Sequence, residues 1–207
     1  MDTNIICGFS GTLKSTYCDF YQSRIVVGTP TKFMLKFDRD YCHWDTMCNP
    51  MNILSARLFA CKQYTDNKVK LMVERSIYDF MYYAMMFKYP GFETESCFNT
   101  RLIDGFEKEI LGDRTYYIIK NNAPEFVKNT IIGSDPSRDQ VYKNVDEYFS
   151  KQEDYLNFLK NYIGEYNYIE LTDTFIKNVF DAINNEKQLV PWIWEKVINK
   201  NTVDEKL

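Results

Sequence analysis

The 207-residue sequence predicts an α/β fold, a parallel sheet of about five strands in a three-layer arrangement with helices on both faces. Three observations point there. Short strand-like runs alternate with longer helical patterns along the chain. A hydrophobic fraction of 45%, with 16% aromatic residues, is enough for a sizeable core. Turn residues such as Asn49-Pro50, Asp66-Asn67 and Pro90-Gly91 punctuate the changes of period.

The elements follow in order. Residues 3–7, "TNIIC", read as the first strand and residues 14–25 as the helix after it. A turn at residues 28–30 leads into "KFMLKF", residues 32–37, the second strand. Asn49-Pro50 opens a helix over residues 51–64, and "KVKLMV", residues 68–73, is the third strand. An aromatic-rich helix covers residues 78–87, and a more polar one residues 99–111. "TYYIIK", residues 115–120, is the next strand; Pro124 then sits in a first helical turn, where its missing N–H costs nothing. "GSDPSR", residues 133–138, is the one flexible loop. Beyond it Val141, Val145, Tyr148, Phe149, Tyr155, Leu156, Leu159 and Tyr162 keep one face of a long amphipathic helix. Residues 166–171 form the last core strand, residues 175–185 a helix, and residues 189–200 a final helix packing Trp192 and Trp194. With no repeat or linker, residues 1–207 are expected to form a single domain.

Composition narrows the function. A formal charge of −4 argues against binding long nucleic acid but not against a small nucleotide held by local donors. The six cysteines include no C-x-x-C pair and the only histidine is His43, which disfavours structural zinc and a histidine-based triad. Apolar runs fall short of the roughly 20 residues of a membrane span. Residues 1–4 carry Asp2 and no basic residue, unlike a secretory leader, so a cytoplasmic protein with no membrane association is expected. The many Asn, Lys, Ile and Tyr residues point to an AT-rich coding genome such as that of a virus or phage.

The sharpest motif is "GFSGTLKST", residues 8–16, directly after the first strand and opening a helix. It matches G-x-x-x-x-G-K-[ST] except that Leu13 replaces the second glycine. Chemistry explains the pattern: the glycines Gly8 and Gly11 let main-chain N–H groups approach phosphate oxygens, Ser10 lies between them as a further phosphate-binding position, and a helix start adds its positive dipole end. Lys14 would reach the β- and γ-phosphates, and Ser15 and Thr16 supply hydroxyls, Ser15 for magnesium. The plain alternative is an ordinary glycine-containing turn with a surface lysine. A second cluster, "ERSIY", places Glu74, Arg75 and Ser76 at the carboxyl end of the third strand, the edge where open parallel sheets bind ligands. Its plain alternative is a salt-bridged turn.

In this order, strand, GFSGTLKST, strand, helix with Asn52 to Arg57, strand and ERS followed by tyrosines, the chain resembles the deoxynucleoside kinase and thymidylate kinase superfamily of P-loop phosphotransferases. "ERSIY" resembles the deoxynucleoside kinase signature, and "APEFVKN" the family's Pro-Glu helix leading into a lid, here residues 133–139. The resemblance implies a P-loop kinase fold using ATP and Mg2+, with Lys14 stabilising the transferred phosphoryl and Ser15 holding the metal. It further implies that Asp38, with Asp40 in reserve, is the base for the substrate hydroxyl. Arg75 contacts the phosphoryl region and Glu74 the sugar hydroxyl. Trp44, Arg57 and Tyr78 contribute to the substrate pocket, and Arg138 in the lid meets phosphate. A homodimer through the helices flanking the third strand is also implied, with the face from Phe80 to Phe87 as its interface or as plain core. Two departures stand out: Asn129 occupies a position where the family commonly has arginine, and the lid offers only Arg138 with Lys128 nearby.

The expected activity is transfer of the γ-phosphate of ATP to a deoxynucleoside or deoxynucleoside monophosphate, the nucleoside slightly favoured. The alternative is a non-catalytic nucleotide-binding or regulatory protein on the same fold, motivated by Leu13 and the arginine-poor lid. A kinase acting on a modified base within DNA has little support from the acidic balance.

Overall fold

β1 (Thr3–Gly8) is a strand because Ile5, Ile6 and Cys7 are all buried, as in a parallel strand covered on both sides. In the computed structural model, residues 3–14, 25–27, 71–88, 91, 93–134 and 141–185 are described. They fall in two compact units, residues 1–6 with 22–115, and residues 7–21 with 116–207.

In the first unit, β3 (Leu71–Glu74) pairs in parallel with β1, Ile5 opposite Val73 and Ile6 opposite Glu74. On its other edge β3 pairs in parallel with β2 (Ile25–Val27), Val27 opposite Val73. This corrects the helix expected over residues 14–25 at its end: the β-branched run Ile25-Val26-Val27 favours strand over a last helical turn. The strand expected at residues 32–37 and the helix at 51–64 lie outside the described residues, as does the tail at 189–200.

α1 (Ile77–Met86) follows β3 directly and buries Ile77, Tyr78, Met81 and Ala84. Ser76 starts it with a capping box: its hydroxyl accepts from the Asp79 N–H at 3.2 Å, and its own N–H donates to Asp79 Oδ2 at 2.7 Å. α2 (Thr100–Leu111) is capped by Asn99, whose Oδ1 accepts from the Leu102 N–H. The Thr3 hydroxyl donates to the Leu111 carbonyl, tying the end of α2 to the start of β1.

In the second unit, β4 (Arg114–Asn122), which enters it at Tyr116, pairs in parallel with β5 (Asn167–Thr172), Ile119 opposite Ile169 and Asn121 opposite Leu171. After Ala123 comes α3 (Pro124–Phe126), continued by a π-helical turn at Val127–Ile131. Pro124 occupies the first turn as expected. α3 takes its cap from elsewhere: Asp173, first residue of α5 (Asp173–Asn185), accepts from the N–H groups of Glu125 and Phe126. α4 (Val145–Lys160) starts at Asn144, whose Oδ1 accepts from the Glu147 N–H at 2.9 Å. It buries Tyr148, Gln152, Tyr155, Leu156 and Leu159 on one face. Burial of an apolar side chain such as Leu156 or Leu159 contributes roughly 1.5–3 kcal/mol.

The described strands and their parallel pairings bear out the α/β class. No helix among the described residues is long and apolar enough to cross a membrane.

Candidate functional site

The glycine loop lies in the second unit from residue 7 onward, and its shape follows from three residues. At Gly8 a side chain is excluded: a Cβ would lie 2.5 Å from the Thr12 hydroxyl and 3.0 Å from the Ile119 carbonyl. At Gly11 φ is 78°, in the left-handed region, and a Cβ would strike Ile131 at 2.8 Å. Leu13 also adopts a left-handed conformation, φ 56°. The loop therefore keeps the backbone that the missing glycine would have favoured, at a strain of about 1–2 kcal/mol.

Lys14 is only 4% exposed. Its ammonium group donates to the Gly8 carbonyl at 2.6 Å, the Phe9 carbonyl at 2.8 Å and the Thr12 hydroxyl at 3.0 Å. The Thr12 hydroxyl in turn donates to the Phe9 carbonyl at 2.9 Å. A solvated surface lysine, the plain alternative, does not describe this residue. The ammonium is held inside the curve of its own loop, where a cation is useful to an anionic ligand.

Phe9 anchors the loop in the core, its ring 5.5 Å from that of Tyr148 and 5.7 Å from that of Tyr155. Tyr155 also accepts a 2.8 Å hydrogen bond from the Gly8 N–H, and Tyr148 donates to the Ser10 carbonyl at 2.7 Å. Helical spacing placed both tyrosines on the core face, but spacing does not reveal what a phenol at the end of a buried ring will meet. Asn121 at the end of β4 was likewise not singled out from sequence; its amide donates to the Gly11 carbonyl at 3.3 Å.

The Glu74-Arg75-Ser76 cluster belongs to the first unit. Glu74 ends β3 and is buried. Arg75 takes φ 73°, a left-handed conformation that is costly for a residue with a side chain. Its N–H donates to the Ile6 carbonyl at 2.7 Å, and its guanidinium lies 4.6 Å from the centre of the Tyr83 ring and 3.9 Å from Asp79. Ser76 is buried, and its hydroxyl donates to Asp79 Oδ2 at 2.7 Å, so local helix capping explains its place in the motif. Tyr78 is buried and donates to Asp104 Oδ1 at 3.0 Å. Burial first, then the Asp104 carboxylate, push the Tyr78 phenol above the ordinary tyrosine range. Arg114 bridges the same Asp104 at 3.2 Å and the buried Glu107 at 3.1 Å.

Of the other expected site residues, Ser15, Thr16, Asp38, Trp44, Arg57 and Arg138 lie outside the described residues. Asn129, the residue in place of the resembled family's arginine, is exposed and donates to Glu125 at 3.5 Å. The described residues hold no group of three or more potential metal-ligating His, Cys, Asp and Glu side chains.

No protein-family model matches the sequence, and no curated protein matches it. Solved structures do. The chain is similar to the thymidylate kinase of Candida albicans, with a TM-score of 0.50 and 12% identity over 90% of this chain and 92% of that one. It is also similar to the thymidylate kinase of Ehrlichia chaffeensis, with a TM-score of 0.41 and 11% identity over 88% of this chain and 97% of that one. At such identity the first likeness speaks to architecture. The chain has an α/β fold like that of the Candida albicans thymidylate kinase.

Proposed function

We propose that the protein is an ATP-dependent phosphotransferase acting on a deoxynucleoside or a deoxynucleoside monophosphate. The observation that carries this is the Lys14 ammonium enclosed by the Gly8 and Phe9 carbonyls in a loop directly after a parallel strand. That Leu13 adopts the left-handed conformation supports a phosphate-binding loop over a decayed one.

In this reading the loop's main-chain N–H groups hold the triphosphate of ATP. Lys14 keeps its two carbonyl contacts and turns the N–H now on Thr12 toward the transferred phosphoryl. The hydroxyl of Ser15 is a hard oxygen donor suited to Mg2+, which when bound offsets phosphate charge. Asp38 accepts the proton of an attacking deoxynucleoside hydroxyl; a monophosphate acceptor needs no such base. Glu74 binds the sugar hydroxyl, Arg75 the transferring phosphoryl, Trp44, Arg57 and Tyr78 shape the acceptor pocket, and Arg138 meets phosphate from the lid at residues 133–139. Catalysis of this kind is mostly positioning and charge stabilisation. The same reading makes the protein cytoplasmic and a homodimer.

The test is a panel of deoxynucleosides and deoxynucleoside monophosphates with γ-labelled ATP and magnesium, run on the unaltered protein and on Lys14→Ala. Label appears on at least one acceptor, and Lys14→Ala loses about 100-fold or more of the rate. ATP binding without transfer to any acceptor would instead establish the non-catalytic nucleotide binder.

A further inference from the structure

The main chain of the glycine loop is held from one side by α4 and the end of β4. Tyr148, Gln152 and Tyr155 recur at i, i+4 and i+7 and so share a face of α4. Gln152 grips Asn121 through both main-chain groups, accepting from its N–H at 2.7 Å and donating to its carbonyl at 2.8 Å. Asn121 Oδ1 accepts from the Ala123 N–H at 2.8 Å, which fixes the orientation of the amide and leaves its Nδ2 as donor. That Nδ2 donates to the Gly11 carbonyl at 3.3 Å and to the Tyr148 hydroxyl at 3.4 Å. The Tyr148 hydroxyl passes the chain on, donating to the Ser10 carbonyl at 2.7 Å. Every polar atom in this run therefore has a defined direction.

A trans peptide sets its carbonyl and the following N–H on opposite sides of the chain, and the described residues include no cis peptide. Holding the Ser10 and Gly11 carbonyls toward Tyr148 and Asn121 turns the N–H groups of Gly11 and Thr12 the other way. A flip of either plane would present a carbonyl dipole where an anion needs a donor. We propose that Tyr148 and Asn121 are positioning residues that set the two peptide planes whose N–H groups, on Gly11 and Thr12, donate to bound phosphate. This rests on the phosphotransferase reading and assigns it two residues outside the loop. Tyr155 has a different part: its hydroxyl accepts from the Gly8 N–H, at the start of the loop.

Tyr148→Phe and Tyr155→Phe each remove one hydroxyl while keeping the ring packing around Phe9, so the pair separates positioning from plain stability. The probe is inorganic tripolyphosphate with magnesium, followed by titration calorimetry and by the amide proton shifts of Gly11 and Thr12. In the unaltered protein both amides move downfield on binding. Tyr148→Phe binds about tenfold more weakly with a smaller Gly11 shift, whereas Tyr155→Phe binds within about threefold of the unaltered protein. Unchanged affinity in Tyr148→Phe, or equal losses in both variants, overturns the assignment and leaves the phosphotransferase reading standing. Failure of the unaltered protein to bind tripolyphosphate overturns both.

Discussion

The ammonium nitrogen of Lys14 lies 2.6 Å from the carbonyl oxygen of Gly8, six residues earlier, and this contact closes the loop on itself. The ring so formed contains two left-handed residues, Gly11 and Leu13, and only one is a glycine.

Leu13→Gly removes the strain of a side chain at φ 56° but enlarges the freedom of the unfolded chain. Because Leu13 is already partly exposed, it gives up little burial. The net gain is on the order of 0.5–1 kcal/mol, a rise of roughly 1–4 °C in melting temperature by differential scanning calorimetry. A fall in melting temperature would mean that Leu13 contributes packing that outweighs its backbone cost.

Ser76→Ala removes the hydroxyl that caps α1 and leaves the buried Asp79 carboxylate without one donor. Urea unfolding shows a loss of about 1–2 kcal/mol with an unchanged denaturant slope. Ser76→Thr retains most of the stability, since its hydroxyl can take the same place.

The fold's outline and the loop were legible in the sequence because each rests on a local pattern. Strand-length apolar runs, Pro124 in a first turn and G-x-x-G-x-x-K after a strand need only near neighbours. The strand at Ile25–Val27 was not read, since a three-residue β-branched run is indistinguishable from the end of an amphipathic helix until its pairing with β3 is seen. Nor could the phenols of Tyr148 and Tyr155 be read, because their partners lie 138 and 147 residues away in sequence. The capping box was present as Ser76 and Asp79 three residues apart, but a carboxylate and a hydroxyl near an arginine also suit a ligand.

Arg114→Ala takes the guanidinium from the fully buried Glu107 side chain and from Asp104. Desolvated carboxylates tolerate such a loss poorly, and stability falls by about 3 kcal/mol in urea. Adding Glu107→Gln to that variant restores part of the loss, because the neutral amide no longer needs a compensating cation.

Cys97 is exposed, and the Thr94 hydroxyl at 3.3 Å, followed by a main-chain hydrogen bond from Thr94, holds its thiol below the ordinary cysteine range. The thiolate is the reactive form and its fraction grows as pH rises, so a lowered pKa moves the alkylation profile to lower pH. Iodoacetamide followed by peptide mass spectrometry therefore shows Cys97 reacting well before the buried Cys7. In Thr94→Ala the half-maximal pH of Cys97 labelling moves upward; an unmoved profile would assign the shift to the main chain alone.

The most direct measurement for the central claim is titration of magnesium ATP into the unaltered protein and into Lys14→Ala, with circular dichroism confirming that both are folded. The unaltered protein is expected to bind one nucleotide per chain, and Lys14→Ala to bind at least about tenfold more weakly, the loss expected when a charge-assisted contact is removed. Equal affinity in the two proteins, or no binding to the unaltered one, would contradict that claim.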